Sequence, residues 1–161
     1  MVNVRFRQFG TKLAQEPVRA HADDSGFDLF ACCPDEGVLI PVGEHRVVPC
    51  GVTVDMWLSE EYTNQWQPEA QVRSRSGLAA KCGVHVLNSP GTIDSGYRGE
   101  LKVVLKNSGL DNFIVFDGDK IAQLVFCVIP TVSVFDVSPG SVISTGTRGD
   151  GGFGSTGHRK A

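Results

Sequence analysis

The segment Leu101-Lys102-Val103-Val104-Leu105-Lys106-Asn107 decides the fold class of this chain. Leu101, Val103 and Leu105 alternate with Lys102 and Lys106, a pattern that predicts a β-strand with one buried and one solvated face. Seven other short segments are rich in Val, Ile or Phe and end at Gly, Pro, Asp or Asn, which also predicts strands. They are Val2–Phe6, Gly37–Val42, Arg46–Met56, Gln65–Val72, Val84–Leu87, Asn112–Phe116 and Lys120–Val137, the last broken near Pro130.

Only Ser76–Cys82 has the character of a helix, and it spans barely two turns. Many short strands with regular turn signals predict an all-β sandwich or jelly roll. The more polar stretch from Trp57 to Glu69 is predicted to be a surface loop or a hairpin.

Composition restricts the class of partner. The chain has 161 residues, enough for one domain with a sizeable core, and a net charge of −3. That charge gives no overall attraction to nucleic acid polymers or anionic membranes, so neither is an expected partner, whereas a small anionic ligand is compatible with local basic groups. Five cysteines without CxxC spacing disfavour zinc and indicate reduced thiols inside a cell. With no targeting signal recognised, we expect a cytoplasmic protein, or a nuclear one if the source is eukaryotic or viral.

Two segments carry groups suited to phosphate chemistry. Arg73-Ser74-Arg75-Ser76-Gly77 places two guanidiniums and two hydroxyls at the start of the predicted helix, where anions bind readily. A serine N-cap beside solvated arginines is the structural alternative. In Gly118-Asp119-Lys120-Ile121-Ala122-Gln123-Leu124, the amide of Gln123 is suited to binding a phosphate or to facing solvent from a strand.

The glycine-punctuated segment 91–100 is predicted to be a hairpin between two strands. Asp94 is placed to orient and deprotonate a water, and Tyr97 to pack on a sugar or base. An ordinary Asx turn with a surface tyrosine is the alternative. Asp28 lies in the apolar stretch Ser25–Ala31, and a buried carboxylate needs partners. It is predicted to pair with an arginine, to lie near a metal-bound water or, most simply, to be a satisfied turn acid.

The end of the chain is rich in glycine: six of the twelve residues from Gly146 to Gly157 are Gly. Ordering such a segment costs much conformational entropy, yet it carries Arg148, Phe153 and two hydroxyls. A frayed tail and a flap that closes over a base and phosphates are both consistent with it.

Taken in order, five segments closely resemble the five motifs of the trimeric dUTPases. They are Ser-Gly-Phe-Asp-Leu-Phe-Ala at 25–31, Arg-Ser-Gly-Leu-Ala at 75–79, Gly-Thr-Ile-Asp-Ser-Gly-Tyr-Arg-Gly-Glu at 91–100, Gly-Asp-Lys-Ile-Ala-Gln-Leu at 118–124 and Arg-Gly-Asp-Gly-Gly-Phe-Gly-Ser-Thr-Gly at 148–157. The resemblance implies a jelly-roll domain over residues 1–145, with one short helix. It also implies a flexible arm over 146–161 that closes over an active site, and a homotrimer with three sites at subunit interfaces.

The implied reaction is hydrolysis of dUTP to dUMP and pyrophosphate, with Mg²⁺ bound mainly through the triphosphate. Asp94 would be the general base that activates water for attack on the α-phosphorus. Tyr97 would pack under the deoxyribose and exclude a 2′-hydroxyl, while Asn88 and the backbone of Gly91, Thr92 and Ile93 would read uracil.

The resemblance implies further contacts to the substrate. Arg75, Ser76, Gly77 and Gln123 would hold the phosphates, and Lys102 would also bind substrate. Asp28 would support the metal through water, or support the phosphate-binding arginines. From another subunit, Arg148 would meet the γ-phosphate, Phe153 would stack on uracil, and Gly154, Ser155 and Thr156 would complete the phosphate contacts.

The chain departs from the family pattern in two places: Ser74 replaces the usual Pro, which predicts a less rigid loop, and the stretch between Val54 and Val72 is longer. The 57–69 loop is therefore a candidate surface for an unknown protein partner. The nearest rival family is dCTP deaminase, but Val104 takes the position of its deaminating glutamate. A noncatalytic or regulatory binding module on the same scaffold is the other alternative.

Overall fold

A computed structural model of the chain describes residues 1–134 and is mostly β-strand. Its eleven strands are β1 (Val2–Gln8), β2 (Gly26–Phe30), β3 (Val38–Ile40), β4 (His45–Pro49), β5 (Val52–Leu58), β6 (Trp66–Arg73), β7 (Val84–Val86), β8 (Gly91–Asp94), β9 (Lys102–Asn107), β10 (Phe113–Val115) and β11 (Lys120–Pro130). The α-helix α1 spans Ser76–Cys82, as predicted, and a single 3-10 turn spans Glu60–Tyr62. The all-β prediction is confirmed, and the predicted arm at 146–161 lies outside the described residues.

The strands form four antiparallel sheets in the unit Met1–Thr131. One sheet has the order β2-β11-β6-β8 and another has the order β4-β9-β7, while β1 pairs with β5 and β3 with β10. Their inner faces share one core of buried apolar side chains. This arrangement is the predicted jelly roll.

The alternation in β9 accounts for its place in the core. Leu101, Val103 and Leu105 are fully buried, whereas Lys102 on the opposite face is exposed. Burying each leucine contributes about 1.5–3 kcal/mol relative to leaving it in water. Phe27 and Phe126 extend the core in edge-to-face contact, with ring centroids 5.5 Å apart.

The predicted single strand Arg46–Met56 is wrong, because the chain turns at Gly51 between β4 and β5. Gly51 has φ of +66°, and a Cβ there would come within 2.7 Å of Cys32 Sγ. A side chain at this position would be strained and would clash, so glycine permits the turn. The two strands then join different sheets.

The sequence patterns did not predict two strands, which lie in the segments 25–31 and 91–100. Gly26–Phe30 forms β2 rather than a turn, and Gly91–Asp94 forms β8, so the hairpin predicted over 91–100 begins as a strand. Both are held by partners distant in sequence, which local patterns do not reveal. The last strand ends at Pro130, near the predicted break, and its predicted extension to Val137 falls partly outside the described residues.

The 57–69 segment is a loop between sheets rather than a hairpin. Its ends lie in β5 and β6, which pair with other strands, and the 3-10 turn lies between them. Trp57, Tyr62 and Trp66 are 41–44% exposed, and Tyr62 and Trp66 line an apolar groove with Met1, Val2, Leu58 and Val128.

All five cysteines are free thiols, in agreement with the composition. Burial raises the pKa of Cys50 to about 12, so this thiol stays protonated at neutral pH. None of the helices within residues 1–134 is long and apolar enough to cross a membrane.

Candidate active site

Asp28 on β2 is the centre of a buried charge cluster. Its side chain is only 6% exposed, and its two oxygens face two cations: Arg75 Nε lies 3.3 Å from Oδ1 and Lys120 Nζ lies 2.9 Å from Oδ2. A buried carboxylate is stable in the folded state when it is paired in this way. The simplest prediction for Asp28, a turn acid, is wrong, and the predicted pairing with an arginine is confirmed.

Arg75 connects this cluster to the start of α1. It is the N-cap residue, without a side-chain cap bond, so the serine N-cap alternative is wrong. Its guanidinium also donates to the Lys120 carbonyl oxygen at 2.9 Å. Ser76 and Gly77 follow on the exposed side of the helix, next to this cation.

Ser74, at the position where the family resemblance predicts proline, makes a hydrogen bond through its side chain. Its Oγ accepts a hydrogen bond from the Val86 backbone N–H at 2.9 Å. This bond ties the loop before α1 to β7, and a proline at position 74 could not accept it through its side chain.

Gln123 on β11 lies in the same row of the sheet as Asp28. The register places it opposite Asp28 on β2 and opposite Arg73 on β6. Directly opposed residues share one face of an antiparallel sheet, so Gln123 belongs to the face that carries Asp28. The predicted phosphate-binding residues Arg75 and Gln123 are thus brought to one end of this sheet.

Asp94 is the last residue of β8, the edge strand opposite β2 in this sheet. It is exposed, and within residues 1–134 its carboxylate has neither an ion-pair partner nor a hydrogen-bond donor. Its carbonyl oxygen accepts the Tyr97 N–H at 3.0 Å, which closes the turn. The carboxylate therefore remains available to a water molecule.

The Tyr97 ring is fixed by contacts within the turn. Its hydroxyl donates to the Glu100 carbonyl oxygen at 2.8 Å. The ring lies against Gly99, where an added Cβ would come within 2.5 Å of Tyr97 Oη. A side chain at position 99 would therefore displace the Tyr97 ring.

Asn88 lies over the start of β8, because a Cβ at Gly91 would be 3.2 Å from Asn88 Nδ2. Thr92 is exposed, while Ile93 packs against the core. The side chain of Ile93 is therefore partly buried against the core. The residues predicted to read a base are brought together on this side of the sheet.

Arg98 is a functional candidate that the sequence analysis missed. It donates to the carbonyl oxygens of Ser95 and Tyr97 at 2.7 and 2.9 Å. It also lies 3.2 Å from Asp55 on β5, so it clamps the Tyr97 turn to a second sheet. Lys120 was missed as well, since its pairing with Asp28 depends on the β2–β11 register.

The site residues thus form two groups within one chain. Asp94 lies opposite Glu69 and Gln123 lies opposite Arg73, four residues further along β6. With two strand spacings added, their Cα atoms are about 16 Å apart. Lys102 joins neither group: it lies in the β4-β9-β7 sheet and pairs with Glu100 at 3.7 Å.

Several predicted site residues cannot be placed. Arg148, Phe153, Gly154, Ser155 and Thr156 lie outside the described residues. Among residues 1–134, no three His, Cys, Asp or Glu side chains are grouped as metal ligands.

Comparison with known proteins identifies the family. The family model described as dUTPase matches residues 13–157. The deoxyuridine 5′-triphosphate nucleotidohydrolase of Gloeothece citriformis is 46% identical over 146 residues, 91% of each chain. The enzyme of that name from Clostridium acetobutylicum is 42% identical over 160 residues, covering 99% of this chain and all of that protein.

A solved structure agrees with these relatives. The dUTPase of Staphylococcus bacteriophage 80alpha, solved with dUPNHPP, superposes with a TM-score of 0.74 at 25% identity, over 97% of this chain and 99% of that one. The similarity therefore covers the jelly roll and both groups of site residues. From its sequence and its fold, this chain belongs to the dUTPase family.

Proposed function

We propose that this protein hydrolyses dUTP to dUMP and pyrophosphate, removing dUTP and supplying dUMP for thymidylate synthesis. The observation that carries the proposal is the contrast between an unpaired carboxylate, Asp94, and a cationic cluster around Asp28. Phosphoryl transfer requires charge neutralisation and in-line placement of a nucleophile more than covalent help. The site therefore has a base that can accept a proton from water and cations that can bind phosphate.

Asp94 is the general base in this proposal. Its carboxylate accepts a proton from the water that attacks the α-phosphorus, and pyrophosphate leaves. Arg75, Ser76, Gly77 and Gln123 neutralise and orient the phosphates. Asp28 keeps Arg75 in place, since the structure pairs both its oxygens with cations.

Base and sugar are recognised at β8, the edge strand opposite β2 in this sheet. Asn88 and the backbone of 91–93 read the uracil edge, and the Tyr97 ring packs under the deoxyribose so that a 2′-hydroxyl is excluded. The close approach of Asn88 to Gly91 and of Tyr97 to Gly99 supports this assignment, because it holds each side chain against the backbone of the turn.

We further infer that each site is shared between subunits of a homotrimer. Within one chain the Cα atoms of Asp94 and Gln123 are about 16 Å apart, and a base on a neighbouring subunit would approach the bound phosphates more closely, which supports this inference. Asp94 and Tyr97 would come from one subunit and the Asp28 group from its neighbour. Lys102 has no assigned contact in this scheme beyond its predicted substrate binding.

Mg²⁺ would be held mainly by triphosphate oxygens, with Asp28 contributing at most through water. The residues at the site are consistent with this role. The Asp28 oxygens already face Arg75 and Lys120, and residues 1–134 contain no group of three His, Cys, Asp or Glu side chains that could bind a metal directly. When bound, the ion supplies neutralisation of phosphate charge.

The glycine-rich arm, residues 146–161, would close over the nucleotide, with residues 1–145 as the jelly-roll domain. Arg148 would meet the γ-phosphate and Phe153 would stack on uracil. Gly154, Ser155 and Thr156 would complete the phosphate contacts. A chain ending at Thr147 is expected to fold and to lose most activity.

A second proposal concerns the 57–69 loop, which we infer to be a protein-binding surface. Three aromatic side chains, Trp57, Tyr62 and Trp66, are more than 40% exposed there beside the apolar groove. Exposed aromatic patches are typical of binding surfaces. We also propose a cytoplasmic location, or a nuclear one in a eukaryotic or viral setting.

The test of the main proposal measures pyrophosphate release from dUTP, dCTP, dTTP and UTP in parallel, with Mg²⁺. We expect turnover of dUTP and rejection of the other three. Ammonia release from dCTP would instead indicate a deaminase. Binding of dUTP without turnover would indicate a noncatalytic module.

A further inference from the structure

Glu69 stands directly opposite the proposed base. On the β6–β8 ladder its Cα partner is Asp94, so both carboxylates project from the same face of the sheet. Directly opposed residues have Cβ atoms about 4.5–5.5 Å apart, and like charges in such pairs repel. A group that holds the Glu69 carboxylate away from Asp94 would therefore keep the Asp94 carboxylate free of a competing neighbour.

A hydrogen-bond relay along β6 supplies such a group. Gln71 Nε2 donates to Glu69 Oε1 at 2.6 Å. Gln71 Oε1 in turn accepts two bonds from Arg73, at 3.1 Å from Nε and 2.7 Å from Nη2. The three side chains lie on one face of the strand, because they occupy positions i, i+2 and i+4.

Arg73 also fixes the orientation of the amide. A guanidinium has donors and no acceptor, so it requires the oxygen of Gln71 on its side. The Gln71 NH₂ group must then face Glu69. The positive charge of Arg73 polarises this amide, which strengthens its bond to the carboxylate.

We propose that Gln71 is a positioning residue for the hydrolysis of dUTP. It draws the Glu69 carboxylate along β6 toward Arg73, and this leaves the Asp94 carboxylate with open lone pairs for the attacking water. The role rests on the proposed function, because it is defined by the action of Asp94. Arg73 contributes through Gln71 and needs no contact with substrate.

Substitutions at both ends of the Glu69–Gln71 bond test this role in the full-length enzyme. In Gln71→Leu, Glu69 loses its donor and competes for the space and water near Asp94. We expect kcat to fall about fivefold with KM within about twofold. Glu69→Gln removes the competing charge and should keep kcat within about twofold of the wild type.

The double variant gives the decisive comparison. If Gln71 acts through Glu69, then Glu69→Gln/Gln71→Leu should behave like Glu69→Gln alone. A merely structural loss from Gln71→Leu would persist in that background and would overturn the proposal, as would a wild-type kcat in Gln71→Leu. The matched control is Gln67→Leu, on the same face of the same strand, which should retain wild-type kcat.

If the thermal unfolding midpoint shows that Gln71→Leu does not fold, Arg73→Met is used as the substitute test. It should lower kcat in the same direction, and Glu69→Gln should again cancel the loss; persistence of the loss would overturn the proposal. Wild type and Asp94→Asn are measured alongside. A wild type inactive on dUTP would overturn both proposals, whereas an active wild type, an inactive Asp94→Asn and an unaffected Gln71→Leu would overturn only the positioning role.

Discussion

Asp28 and Asp94 are the same chemical group at two ends of one sheet, and their surroundings differ sharply. Asp28 is 6% exposed and faces Arg75 and Lys120, whereas Asp94 is exposed and unpaired among the described residues. A carboxylate that is satisfied by cations is a poor proton acceptor but a good anchor for them. In the proposed mechanism, the Asp28 group organises the phosphate-binding cations and Asp94 performs the proton transfer.

Removing the unpaired carboxylate should have the largest effect. Asp94→Asn keeps the shape of the turn but removes the base, and general base catalysis contributes about 10²–10⁴-fold. We expect kcat for dUTP to fall about 10³-fold, with KM changed little. The control Asp111→Asn, at another exposed position, should keep kcat within about twofold. Retention of a tenth of the activity in Asp94→Asn would contradict its assignment as base.

Asp28→Asn should affect binding and stability instead. The buried amide would place an N–H group near two cations that lose their counter-charge. We expect kcat/KM to fall about 30-fold, largely through KM, and stability to fall by about 1–2 kcal/mol, since both cations are partly exposed. Steady-state kinetics and urea unfolding measure these effects. Asp35→Asn removes a fully exposed carboxylate 3.9 Å from Lys12 and is the matched control. Equal loss in both variants would argue against a special role for burial.

Gly99→Ala should weaken sugar discrimination, because the added methyl would displace the Tyr97 ring. We expect the preference for dUTP over UTP, measured as a ratio of kcat/KM values, to fall about tenfold. Gly96→Ala in the same turn meets no atom within 4 Å and is the control. Unchanged discrimination in Gly99→Ala would show that the ring position does not exclude the 2′-hydroxyl.

Asp55→Asn should have the smallest effect, through the Arg98 clamp on the Tyr97 turn. Partly exposed ion pairs contribute about 0.2–1 kcal/mol, and we expect kcat/KM to fall about threefold from a looser turn. Arg7→Met removes the more distant partner of Asp55, at 3.8 Å, and should leave kinetics unchanged. If both variants lose activity equally, the effect comes from β1–β5 packing rather than from the clamp.

The two ends of the sheet also differ in what the sequence could reveal. The β9 alternation and α1 follow from local patterns, and the structure confirms them. The partners of Asp28 do not, because Lys120 reaches it only through the β2–β11 register. The same holds for Glu69, whose position opposite Asp94 is a product of strand pairing. The need for glycine at this turn escaped prediction because Cys32, which leaves no room for a side chain at position 51, is distant in sequence.

The central claim is that the Asp94 group and the Asp28 group act together from different subunits. Mixing Asp94→Asn with Arg75→Ala chains, by joint unfolding and refolding, tests it directly. Each parent should be nearly inactive, but random assembly restores both wild-type groups at about one quarter of interface sites. We predict that the mixture regains about a quarter of wild-type dUTP turnover per site. Activity no greater than the sum of the separately refolded parents would contradict the claim.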